Sequence, residues 1–138
     1  MKKIIKCIFA LVLTIGLLTG CSKAATYDSI DWSGYAKQYA EFEMEIEYYC
    51  EYGFTPFCKC TTSRLSDAND YKSSYECYGT VEIRNEYGEL YTAKWNCIVT
   101  VNKSTADLLL KDGYTEYEDL KDALDINTDN ATMGVPTR

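Results

Sequence analysis

The chain has 138 residues with 21 acids against 14 bases, a formal net charge of −7, and no histidine. The missing imidazole excludes Ser-His-Asp and Cys-His catalysis and most zinc sites. The acid excess argues against nucleic acid as a partner, since phosphate contacts need Lys and Arg, and the length suits one domain.

Lys2, Lys3 and Lys6 make a basic start, and Ile8 to Leu18 is an apolar run broken only by Thr14 and Gly16. The run is shorter than the roughly 20 residues a membrane-spanning helix needs. Leu18-Thr19-Gly20-Cys21 follows it. Together they resemble the signal peptide and lipobox of a bacterial lipoprotein. The resemblance implies cleavage between Gly20 and Cys21 and a diacylglyceryl group on the Cys21 thiol. Two or more acyl chains, at about 0.8 kcal/mol per buried CH₂, hold a protein on a bilayer where one holds it only marginally. The implied location is the cell membrane, lipid-anchored on the extracytoplasmic face. Ser22 is not the Asp that resembles a Gram-negative inner-membrane retention signal, and the Lys-, Ile- and Tyr-rich usage favours a Gram-positive source.

This divides the chain into a signal peptide (1–20), the lipidated cysteine and linker (21–30), a single α+β domain (31–126) and a polar tail (127–138) read as disordered. The linker reaches roughly 16 Å on average as a flexible coil. Without residues 1–20 the chain keeps 11 bases against 21 acids, net −10. That charge favours cationic partners and repels an anionic bilayer within about 8 Å.

Trp32, Tyr35, Tyr39, Phe42, Ile46 and Tyr49 recur at steps of three and four, which predicts a helix over 31–52. Ala36, Ala40 and Cys50 widen this stripe. Asp31 is the N-cap candidate, Gly53 the C′ residue, and Pro56 bars continuation. Residues 57–63 read as a short strand with Cys58 and Cys60 on one side and Phe57, Lys59 and Thr61 on the other. Ser66 to Asp70 reads as a turn.

Residues 73–85 and 89–102 alternate with period two around Asn85-Glu86-Tyr87-Gly88, which predicts a β-hairpin with Gly88 left-handed. A loop centred on Tyr87 pairs residues whose numbers sum to 174. Ile83 then meets Tyr91, Val81 meets Ala93, Gly79 meets Trp95 and Cys77 meets Cys97. The apolar faces coincide in this register, and Trp95 covers a strand glycine. Ser104 opens a short helix that Gly113 stops. Thr115 and Glu118 form a second capping pattern before Tyr117, Leu120 and Leu124. The expected fold is one long helix on an antiparallel sheet of about three strands, with short C-terminal helices. That order resembles the cystatin-like group of folds, a resemblance of arrangement that transfers no function.

Beyond Cys21, the disulfide candidates are Cys50, Cys58, Cys60, Cys77 and Cys97. Export permits oxidation, and five is odd, so one thiol stays free or pairs between molecules. Cys50 on the helix stripe is expected to bond Cys77 or Cys97, and the other hairpin cysteine to meet Cys58 or Cys60. No metal site, cofactor or catalytic residue is expected. The lone C-x-C motif is weak, and Asp125-Ile-Asn127-Thr-Asp129 departs from an EF-hand at Asn130 and Pro136. Glu41, Glu43, Glu45, Glu47 and Glu51 scatter around the helix as a solvated face. The expected function is a membrane-tethered, non-enzymatic binding module with a protein or peptide partner. The alternative is a carboxylate- and tyrosine-based envelope or carbohydrate-processing enzyme.

Overall fold

A computed structural model describes residues 25–138. The signal peptide, the lipobox Leu18 to Cys21 and the first part of the linker lie outside the described residues. The architecture is α+β. Helix α1 (Trp32–Tyr52) lies across one face of an antiparallel sheet formed by β1 (Pro56–Ala68), β2 (Lys72–Arg84), β3 (Leu90–Asn102), β4 (Leu124–Ile126) and β5 (Thr132–Met133). Two short helices, α2 (Lys103–Lys111) and α3 (Tyr117–Leu120), lie between β3 and β4. The expectation of three strands is therefore an undercount. β4 and β5 are too short to carry a period-two signal, yet both pair with β3.

Asp31 caps α1 by accepting from the Gly34 amide at 3.0 Å, and Gly53 ends it at φ 73° while donating to the Tyr49 carbonyl at 2.8 Å. The buried face keeps Trp32, Ala36 and Ala40 of the expected stripe but is rotated away from Phe42, Ile46 and Tyr49. Trp32, Ala36, Ala40, Met44 and Tyr48 point inward at strict steps of four. Phe42, Ile46 and Tyr49 stay 58%, 42% and 56% exposed. Tyr35 and Tyr39 are half-buried at the margin, where the Tyr35 hydroxyl donates to the Thr115 carbonyl at 2.8 Å. The reason is proximity to the sheet. Alanine lets the helix backbone approach until the Cys77 thiol lies 3.8 Å from the Ala36 carbonyl. Aromatic rings in those places would hold the layers apart.

The hairpin forms in the predicted register, with Val81 opposite Ala93, Gly79 opposite Trp95 and Cys77 opposite Cys97. Gly88 takes φ 78°, and the Asn85 side chain accepts from the Tyr87 and Glu89 amides at 3.0 Å each. β1 runs beyond residue 63 to Ala68, through part of the predicted turn. It pairs with β2 through two irregularities, at Cys60/Thr62 and Leu65/Asp67. The actual reversal is made by Asn69, whose side chain accepts from the Tyr71 and Lys72 amides.

α2 is capped by Asn102, which accepts from Thr105 at 3.0 Å, rather than by Ser104. α3 has Glu116 at its N-cap with no side-chain bond, so the Thr115 capping pattern is not formed. The segment 127–138, expected to be disordered, is ordered along β3. Thr92 and Thr137 exchange backbone hydrogen bonds at 2.9 and 3.0 Å, and Gly134 donates to the Lys94 carbonyl at 2.9 Å. An edge strand presents unpaired amides and carbonyls, and this tail satisfies those of β3. The Tyr48 hydroxyl ties the tail to α1 through the Gly134 carbonyl at 3.1 Å.

Candidate functional site: an acid-flanked helix face

The cysteines divide by burial. Cys58, Cys60, Cys77 and Cys97 are buried between sheet and helix, and Cys50 is exposed. The expected bridge from Cys50 to the hairpin is not formed. The rotation that brings Met44 and Tyr48 inward turns Cys50 outward with Tyr49. Among the described residues all five thiols are free. Cys60, Cys77 and Cys97 lie in a row across three strands. A hydrogen bond to Cys77 raises the Cys60 thiol far above its ordinary range, and burial adds to it. At Cys77 the bond to Cys60 lowers the thiol, but the bond to Cys97 and burial outweigh it, leaving it at about 11. Burial, then the charges of Glu45 and Glu41, push Cys58 up to about 12. Such thiols stay protonated at neutral pH, and the thiolate is the nucleophile and metal ligand. They act here as small core residues. No cluster of three or more metal-ligating side chains occurs among the described residues.

The α1 glutamates do more than solvate a face. Glu41 accepts from the Cys60 amide at 2.8 Å, and Glu45 from the Cys58 amide at 3.1 Å. β1 ends the strand order, so these amides sit on its free edge. The geometry is commensurate. Four helical residues advance about 6 Å, and two strand residues advance about 6.6 Å. With helix and strand antiparallel, carboxylates spaced i, i+4 meet alternate edge amides. Two side chains thus stand where a neighbouring strand would be. Glu at i, i+4 opposite an edge strand is a signal that reading each element alone misses.

On the other flank, α1 and the segment 117–124 enclose an open cavity of about 650 Å³, lined by Tyr39, Phe42, Glu43, Tyr117, Lys121 and Leu124. Glu41, Glu45, Glu118 and Asp122 also line it, so acids dominate. Its base, Lys121, is bonded to Glu118 at 2.7 Å. Burial raises the Glu43 carboxyl above its ordinary value, and the charges of Glu47 and Asp125 add to the effect. Burial, then Glu118, pushes Tyr117 up to about 12, and burial also raises Tyr39. At neutral pH both phenols keep their protons and present neutral aromatic faces. Burial, acids and tyrosines here make a surface suited to cations and apolar groups. No family model, no curated protein and no solved structure matches the chain.

Proposed function

We propose that this protein is an extracytoplasmic lipoprotein, held on the cell membrane by lipid on Cys21, and that its domain is a non-enzymatic binding module. The observation that carries the anchor is Leu18-Thr19-Gly20-Cys21 behind a basic and then apolar start. No described helix is long and apolar enough to cross a membrane. A lipid is the device that would hold an acidic domain on a surface whose charge repels it. The acid-flanked helix face and its cavity supply a surface for a cationic protein or peptide. The helix-then-meander order still resembles cystatin-like folds, and we carry that as a proposal about architecture alone.

Cys21→Ser tests the anchor. The wild type fractionates with membranes and incorporates labelled palmitate. The variant leaves the membrane fraction or accumulates at the size of the unprocessed chain. A variant that stays membrane-bound at wild-type mobility refutes lipidation at Cys21.

One observation favours the second reading, a carboxylate- and tyrosine-based enzyme acting on envelope or carbohydrate substrates. Glu43 is a carboxyl whose proton affinity burial raises, in a cavity lined by other acids, as a general acid requires. The binding reading stands ahead of it because the cavity is open and Phe42 and its neighbours extend it as an apolar face rather than enclosing a substrate.

A further inference from the structure

α1 leaves Phe42, Ile46 and Tyr49 uncovered at 58%, 42% and 56% exposure. Steps of four and three place them on one stripe. Carboxylates flank that stripe on both sides: Glu41 and Glu45, which bond β1 amides and also line the cavity, and Glu43, which lines the cavity and feels the charge of Glu47. Lys37 is the one base in the helix.

We propose that this face docks a basic amphipathic peptide segment of a partner protein. Its apolar residues lie along Phe42, Ile46 and Tyr49. Its Lys or Arg side chains reach Glu43 and Glu47 and enter the cavity, where Tyr39 and Tyr117 offer ring faces to a cation. Charge decides the occupant. A second copy would set carboxylate rows against carboxylate rows, and an anionic bilayer repels the same rows. A basic helix presents apolar anchors at matching i, i+4, i+7 spacing and opposite charge. The assignment deepens the binding-module reading and rests on it.

The probe is a labelled synthetic Lys/Leu peptide of about four helical turns, with a Glu/Leu peptide of the same length as control. Anisotropy titrations use the protein purified as its host processes it. The wild type binds the basic peptide and not the acidic one, and added salt weakens binding as screening shortens. Phe42→Ala binds about tenfold more weakly, as loss of an interface anchor does. The Glu43→Gln/Glu47→Gln double variant loses much of the salt dependence. All of these positions are wholly or partly exposed, and circular dichroism confirms that the variants fold. Unchanged affinity in Phe42→Ala and in the double variant overturns the site. So does equal binding of the Glu/Leu peptide, or no binding at all. A concentration-dependent dimer that Phe42→Ala abolishes assigns the face to a second copy and also overturns it. Membrane fractionation of the same variants reads the anchor separately, so failure of the docking face leaves the lipoprotein reading standing.

Discussion

Gly79 sits where no side chain fits. A Cβ there would overlap the Trp95 ring and the Lys59 carbonyl. The ring lies across the strand because its Nε1 donates to the Thr80 carbonyl at 2.9 Å, which fixes it over the glycine. Gly79→Ala is expected to lower stability by about 1–3 kcal/mol, the usual cost of overpacking. A urea midpoint equal to that of the wild type would mean that the ring is not seated there. This pair was legible in the sequence, because two period-two strands around one turn allow a single register that puts both apolar sets on one face. The orientation of Cys50 was not legible. Its direction depends on the rotation of α1, and large apolar residues on two faces of one helix leave that rotation open.

Between elements, the Glu41 and Glu45 carboxylates close the edge of β1. Replacing both with alanine removes the acceptors of the Cys60 and Cys58 amides. The expected loss is about 1.5–3 kcal/mol per bond, as for hydrogen bonds to charged groups. The freed edge should then pair between molecules. Urea unfolding and size-exclusion chromatography check both effects. A double variant that is as stable and as monomeric as the wild type would show that the carboxylates do not guard the edge. Helix α1 itself was readable from its caps and period. Its inward stripe was legible only at Trp32, Ala36 and Ala40, because the largest apolar side chains draw the stripe toward Phe42, Ile46 and Tyr49, whereas close helix-to-sheet approach centres it on the alanines, with Met44 and Tyr48. The carboxylate ladder was invisible for another reason. It pairs a helical step with a strand step, and neither element carries the pattern alone.

At the scale of the whole molecule, one core joins α1, the sheet and the C-terminal helices. The four buried cysteines belong to that core, so they report on global opening. Under reducing conditions a maleimide should label Cys50 at once and label Cys58, Cys60, Cys77 and Cys97 only on unfolding, all at one rate. Peptide mapping checks the order. Labelling of Cys60 or Cys77 as fast as Cys50 in the native protein would refute the burial. The ordering of 127–138 was missed because two-residue pairings carry no periodicity, and only the open edge of β3 makes them favourable. The same plan gives the molecule two ends. Near the chain entry, the Tyr27 hydroxyl donates to Ser73 at 2.9 Å and the Lys103 ammonium lies over the Tyr27 ring, all at one end of the sheet. The hairpin turn lies at the other end, one full strand away. The 13 residues of β2 extend about 40 Å. On the proposed tether at Cys21, the first end would be the foot and the Asn85–Gly88 turn the masthead. Tyr87, 80% exposed, would then stand at the end of the domain farthest from that tether, the end offered to anything approaching from outside.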